Sequence, residues 1–193
     1  FLPVEHILED FQNNITSDTR KLKKGDILIL YKNAEKFLNQ NILTIAFLVI
    51  TEKDFYIRNN YNKNQKIIEV NDLKLYALNL LKKRYQLPQE LFAITGTKGK
   101  TSSSYYAFQL LNLCNYKTGY LGTIGGFTMI NNKINKIKTN LNIDNHILTT
   151  PSLEDIFQIC DYFVKNYNIK LLIFELSSHA LEQKRLKGIN IQY

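Results

Sequence analysis

The sequence predicts an α/β protein in two parts, a small N-terminal α+β domain followed by a domain with a mostly parallel sheet. Three observations carry this. An apolar segment at 91–95 runs through a glycine-rich loop into a helical pattern. A second, nearly all-apolar segment at 171–176 has the composition of a strand buried on both faces. Apolar residues recur at helical spacing between and before these strands, and strands alternating with helices give a parallel sheet.

The first part covers 1–87. Lys23-Lys24-Gly25-Asp26 is a turn, and 27–31 is a short apolar strand. Residues 42–50 are rich in β-branched side chains and fit one or two strands. Residues 59–65 form a polar loop without periodicity. Asp72 caps a helix over 73–85, with Leu75, Leu78, Leu81 and Tyr85 on one face. Gln86-Leu87-Pro88 ends it, and the domain boundary is placed there.

The second part, 88–193, opens with the strand at 91–95. A helix over 101–114 follows the glycine loop, with Tyr105, Phe108, Leu110 and Leu111 at helical spacing. A strand over 117–124 ends among Gly122, Gly125 and Gly126, and 127–138 reads as a hairpin around Asn131-Asn132. Ser152 caps a helix over 153–167, whose buried face is Leu153, Ile156, Phe157, Cys160 and Val164. The strand at 171–176 carries Glu175, Ser177, Ser178 and His179 at its C-terminal end, and 189–193 is a further strand.

Composition limits the function classes. With 45% hydrophobic residues in 193, the chain can bury a core, and global disorder is excluded. No apolar run reaches the roughly 18 residues needed to span a membrane, so no membrane partner is expected. No basic-then-apolar leader opens the chain, which disfavours secretion. It begins with Phe1 and ends with Tyr193 in an apolar run, so it is read as a fragment. The net charge of +8 suggests nucleic acid, but Lys outnumbers Arg 21 to 4 and the basic residues are scattered, so no nucleic-acid partner is expected. Cys114 and Cys160 sit at apolar helical positions and are expected to be buried, reduced thiols.

The loop Gly96-Thr97-Lys98-Gly99-Lys100-Thr101 lies between a strand and a helix N-terminus. Backbone N–H groups there lack intrahelical partners, and the helix dipole favours an anion. Lys100 is placed to reach phosphate oxygens, and the Thr101 hydroxyl to ligate Mg²⁺. Ile94 occupies the first glycine position of the longer G-x-x-x-x-G-K-[ST] spacing, so the match is to a shorter G-x-x-G-K-T form. In open α/β sheets ligands bind at strand C-terminal ends. Glu175 is therefore a candidate Mg²⁺ ligand, or a carboxylate behind one, with His179 four residues on. The strand ending at Glu175 is expected beside the strand ending at Thr95. Service of one Mg²⁺ requires the Glu175 carboxylate within roughly 10 Å of the Thr101 hydroxyl.

These residues resemble those of the Mur ligases. Residues Ile94 through Ser102 are similar to the family's ATP loop, T-G-T-[N/D/K]-G-K-[ST]. Glu175-Leu176-Ser177-Ser178-His179-Ala180-Leu181-Glu182-Gln183-Lys184-Arg185 resembles the E-[VL]-S-S-H-[AG]-L-x-Q-x-R segment of MurE-type ligases. Thr149-Thr150-Pro151 matches their T-T-P turn, and Thr16-Ser17-Asp18-Thr19-Arg20 with Lys24-Gly25-Asp26 resembles their N-terminal S-D-S-R…G-D segment. The resemblance implies an ATP- and Mg²⁺-dependent ligase of peptidoglycan synthesis, adding a diamino acid to UDP-MurNAc-L-Ala-D-Glu through an acyl phosphate. It implies that residues 1–87 form the UDP-side domain and 88–193 a truncated ATP-binding central domain. By position, Gly96, Thr97, Lys98, Gly99, Lys100, Thr101 and Ser102 hold ATP, Thr101 and Glu175 serve one Mg²⁺, and His179 a second. Lys100, Glu175 and His179 are the implied catalytic residues. Thr149, Thr150, Ser177, Gln183 and Arg185 match positions that hold the muramoyl-dipeptide, and Thr19 lies near the uridine end. A cytoplasmic monomer is implied, inactive as this fragment alone. The sequence departs from the family at Tyr31-Lys32-Asn33-Ala34-Glu35-Lys36-Phe37, which replaces a glycine-containing UDP segment, and at Leu148, where Asn often stands. The alternatives are a nucleotide-binding remnant without catalysis, or another member of the Mur ligase and folylpolyglutamate synthase superfamily.

Overall fold

The computed structural model describes residues 14–59, 66–137, 151–182 and 186–192. The chain divides into two compact units, 1–81 and 82–193. The division falls within the helix Leu73–Arg84, ahead of Gln86-Leu87-Pro88.

In the first unit, β1 (Ile15–Thr16), β2 (Ile27–Leu30), β3 (Leu48–Glu52) and β4 (Ile67–Val70) form a sheet in the order β1-β2-β3-β4. Every neighbouring pair is parallel. Parallel neighbours need crossover connections. A 3₁₀ helix (Lys32–Phe37) and α1 (Gln40–Ile45) connect β2 to β3, and α2 (Phe55–Asn59) follows β3. The N-terminal unit expected as α+β thus carries its described strands in an α/β arrangement. All four residues of β2 are buried, as in a strand covered on both faces. Leu28, Leu30, Leu43, Val49 and Phe55 pack together on one side.

The expectation of strand over 42–50 is corrected: α1 takes its first part, and β3 begins only at Leu48. The Asn39 side chain accepts the Ile42 N–H at 3.0 Å, which caps the helix. That cap and the burial of Leu43 outweigh the low helix propensity of the β-branched residues. Asn59 ends α2, and the rest of the polar loop expected at 59–65 lies outside the described residues. Helix α3 (Leu73–Arg84) is capped as expected, with Asp72 accepting the Leu75 N–H at 2.9 Å. Its buried face is Leu73, Ala77, Leu78, Leu80 and Leu81. Leu75, expected on that face, is exposed. Ala77 holds the centre of the buried face instead, so the stripe is rotated from the one that the leucine spacing suggests.

The second unit contains β5 (Glu90–Ile94), α4 (Lys100–Leu113), β6 (Thr118–Gly122), β7 (Gly125–Ile130), β8 (Lys133–Lys136), α5 (Leu153–Tyr167), β9 (Leu171–Glu175) and α6 (Ser178–Glu182). The sheet order is β5-β9-β6-β7-β8. β9 lies parallel to both β5 and β6, while β7 and β8 return antiparallel. Asn131 and Asn132 join β7 to β8 with φ of 50° and 60°, the two left-handed residues that a tight hairpin turn requires.

The two faces of β9 have different partners. Leu172 and Phe174 pack with Ile156, Cys160 and Phe163 of α5. Leu171 and Ile173 pack with Phe108 of α4 and Tyr120 of β6. Side chains alternate along a strand, so Glu175 shares the α4 face with Leu171 and Ile173. Helix α5 crosses β6 closely: a Cβ on Gly119 would lie 2.6 Å from the Phe163 ring. Leu110, expected to pack, is exposed on α4. Cys114, expected to be buried, is exposed because it caps the C-terminal end of α4; Cys160 is buried. At the outer edge of β5, Gln192 bridges Phe92 in parallel where a strand over 189–193 was expected.

Candidate functional site

The loop between β5 and α4 folds as it does because two positions accept only glycine without strain. Gly96 has φ of 145° and Gly99 of 82°. Gly99 is also the N-cap of α4 and supplies no side-chain cap. The start of α5 contrasts with this. Ser152 accepts the Asp155 N–H at 3.2 Å there, and Glu154 and Asp155 stand in the first turn. The first turn of α4 has no acidic residue and begins with Lys100. One helix start is closed by its own side chains, while the other presents backbone N–H groups and a cation. The Lys100 ammonium donates to the Gly96 carbonyl at 2.7 Å, spanning the loop.

Glu175 is the centre of the polar cluster. It ends β9 beside Ile94 and is 1% exposed. Its Oε2 accepts the Thr101 and Thr123 hydroxyls, each at 3.0 Å. Its Oε1 accepts the Thr123 backbone N–H at 3.2 Å and the Tyr120 hydroxyl. Tyr120 is fully buried, with Tyr105, Phe108 and Phe127 around its ring. Burial, then the hydrogen bond to Glu175, pushes its phenol far above its ordinary value, so it stays a donor. Gly122 leaves the room: a Cβ there would overlap Glu175 Oε1 and the Tyr120 hydroxyl oxygen.

The structure therefore joins Lys100, Thr101 and Glu175 at one strand end, and the spacing between the Glu175 carboxylate and the Thr101 hydroxyl lies well within the expected range. Thr97, Lys98 and Ser102 are exposed around the loop. The Ser177 hydroxyl accepts the Ala180 N–H at 3.2 Å, at the start of α6. His179 is exposed on that helix, its Nδ1 3.9 Å from Glu182. Thr19 lies in a turn of the other unit. Thr149, Thr150, Gln183 and Arg185 lie outside the described residues. Among the described residues, no three His, Cys, Asp or Glu side chains converge as a metal cage, and no helix is long and apolar enough to cross a membrane. Tyr120 and Thr123 were missed in the sequence; their only signal was a pair of hydroxyl side chains at a strand end rich in glycine.

The strand, glycine loop and helix, with a carboxylate on the adjacent parallel strand, define an α/β domain of the phosphate-loop class. The chain belongs to the Mur ligase family: residues 94–193 match the model of the Mur ligase middle domain. It is 29% identical over 182 residues to the UDP-N-acetylmuramoyl-L-alanyl-D-glutamate--2,6-diaminopimelate ligase of Rickettsia bellii (strain RML369-C), covering 92% of this chain and 35% of that protein. To the protein of the same name from Buchnera aphidicola subsp. Schizaphis graminum (strain Sg) it is 32% identical over 187 residues, again covering 92% and 35%. A solved structure of a ligase of this name has a TM-score of 0.64 at 22% identity, covering 92% of this chain and 34% of that one, which shows a shared fold. The resemblance to MurE-type ligases is borne out. The chain spans about a third of the length of the curated relatives it matches. Use of ATP and Mg²⁺ is general to the family.

Proposed function

We propose that the chain supplies the UDP-side domain (1–87) and part of the ATP-binding central domain (88–193) of a cytoplasmic, monomeric ligase of peptidoglycan synthesis. The ligase joins a diamino acid, 2,6-diaminopimelate in the name of its relatives, to UDP-MurNAc-L-Ala-D-Glu. The observation that carries this reading is the buried Glu175 carboxylate 3.0 Å from Thr101, at the start of the glycine-capped helix.

The residues present fit Mg²⁺. Its preferred ligands are oxygens, one or two from carboxylates and the rest from phosphates and water. Thr101 and Glu175 supply such oxygens at the loop, and the lack of a closed cage among the described residues suits a cation shared with phosphates. His179, a nitrogen donor and so a weaker match, is assigned to a second Mg²⁺. When bound, Mg²⁺ would neutralise charge developing on the phosphoryl oxygens.

The residues' own work follows. Lys100 exchanges the Gly96 carbonyl for phosphate oxygens, and the N–H groups of residues 99–102 face the same anion. The substrate's terminal carboxylate displaces ADP from the γ-phosphoryl group, giving an acyl phosphate. The amine of the diamino acid then attacks the acyl carbon, and phosphate leaves. Thr149, Thr150, Ser177, Gln183 and Arg185 hold the muramoyl-dipeptide so that the reacting atoms stay in line, and Thr19 lies toward the uridine end. This chain alone is expected to bind nucleotide without coupling, because it spans only about a third of its relatives.

The test is calorimetric titration with ATP and Mg²⁺. Lys100→Ala should weaken binding about ten- to hundredfold, the loss of a charge-assisted hydrogen bond. Unchanged affinity in that variant overturns the placement of ATP. A coupling assay with radiolabelled diaminopimelate, on a chain extended to the relatives' length, separates the ligase from the alternative: nucleotide binding without coupling would indicate a non-catalytic remnant.

A further inference from the structure

The Glu175 carboxylate has two oxygens with partners of different kinds. Oε1 accepts a backbone N–H, from Thr123, and the Tyr120 hydroxyl. Oε2 accepts two threonine hydroxyls, from Thr101 and Thr123. The first pair is fixed in space. A backbone N–H cannot rotate, and the Tyr120 hydroxyl is carried on a fully buried ring between Tyr105, 5.4 Å away between centroids, and Phe127, 5.9 Å away. The second pair can adjust. A threonine hydroxyl turns about its C–O bond and offers lone pairs as well as a proton. One end of the carboxylate is therefore held, and the other is shared with the hydroxyl that begins α4.

We infer that Tyr120 is a positioning residue: with the Thr123 N–H it anchors Glu175 Oε1, so that Oε2 and the Thr101 hydroxyl are presented together to the divalent cation accompanying the nucleotide phosphates. This rests on the nucleotide reading proposed above. The terminal torsion of a glutamate is broad, so the side chain alone does not fix the orientation of the carboxylate plane. The Tyr120 hydroxyl and the Thr123 N–H, both on one oxygen, fix it. Gly122 belongs to the same device, since any Cβ there would strike both Oε1 and the Tyr120 hydroxyl oxygen. The aromatic cage is satisfied by a phenyl ring; only the hydroxyl is aimed at the carboxylate.

The experiment compares ADP binding by calorimetry with excess Mg²⁺ and with EDTA, in the full chain and in Tyr120→Phe, Glu175→Gln and the double variant. Tyr120→Phe keeps the ring in its cage and should leave ADP affinity in EDTA unchanged. The gain in affinity that Mg²⁺ confers should fall about tenfold, the loss of one hydrogen bond to a charged group. In the Glu175→Gln background the same substitution should change that gain by less than about twofold, because the residues act as one unit. Mn²⁺-ADP bound to Tyr120→Phe should also show a broadened electron paramagnetic resonance spectrum. Equal losses in Mg²⁺ and EDTA would make Tyr120 a structural residue and overturn the inference, as would an unchanged Mg²⁺ gain or additive effects in the double variant. If the unsubstituted chain shows no Mg²⁺-dependent binding of ADP at all, the nucleotide reading fails, and the inference with it.

Discussion

Glu35 in the first unit and Glu175 in the second are both buried, and the two are satisfied by donors of different kinds. Glu35, in the 3₁₀ helix after β2, receives the Arg58 guanidinium at 2.5 and 3.3 Å and the Asn59 amide at 2.8 Å. Burial alone would push its carboxyl up, but these donors outweigh that and hold it below the usual carboxylate range. Glu175 is held by three hydroxyls and one backbone N–H. Those four contacts orient the carboxylate without adding a positive charge, whereas Arg58 cancels the charge of Glu35. A buried acid with its own guanidinium is a closed structural element. A buried acid that accepts hydroxyls beside a glycine-capped helix stands where the proposed function places a cation. Glu35 also lies within Tyr31–Phe37, the segment that departs from the family pattern, so an internal ion pair stands where a ligand contact was to be sought.

The contrast can be broken at either end. Gly122→Ala should have the largest effect. The new methyl group forces Glu175 and Tyr120 apart, costs about 1–3 kcal/mol in chemical denaturation, and removes Mg²⁺-dependent nucleotide binding in the same calorimetric experiment. Retained binding would mean that the Glu175 cluster is not where the cation is held. Glu35→Gln should cost less, about 1 kcal/mol, because Arg58 is 27% exposed and regains water. It should leave nucleotide affinity unchanged; a loss there would show that the pair is more than structural. Glu35 is also where pH matters. Its folded value lies below the ordinary glutamate value of 4.5, so its contribution to stability is complete above that value and is lost as pH falls through the folded value. Unfolding measured from pH 6 to 3 should therefore show a loss of stability that is smaller in Glu35→Gln. The mildest probe is chemical labelling. Cys114 is exposed and should react with a thiol reagent in the native protein. Cys160, its thiol pushed far up by burial, should react only when the second unit opens, and its rate should not change in Glu35→Gln.

The legibility of the sequence followed the range of the interactions. Helix α5 was readable to its ends because Ser152 caps it and its apolar spacing is strong. The glycine loop was readable because Gly96 and Gly99 mark backbone conformations that few other residues adopt. At 42–50 the β-branched composition conceals the Asn39 cap, and a helix reads as strand. Leu75 and Leu110 were assigned to buried faces by residue type, but which side of a helix meets the sheet is set by tertiary packing. The site divided in the same way. Lys100, Thr101 and Glu175 carry local patterns. Tyr120 and Thr123 reach Glu175 across 55 and 52 residues, and only because β9 inserts between β5 and β6. No local pattern records that strand order.

The bond from Lys100 to the Gly96 carbonyl has a consequence for the kinetics of filling the loop. Ordering a free lysine side chain costs up to about 2 kcal/mol of rotamer entropy. Here the ammonium is already threaded across the loop before any anion arrives, so that ordering belongs to folding rather than to capture. On the proposed function, an incoming phosphate would trade places with a carbonyl, and a departing one would be replaced by it. The loop would then keep its shape between visits, with the lysine as a counter-ion tethered to it.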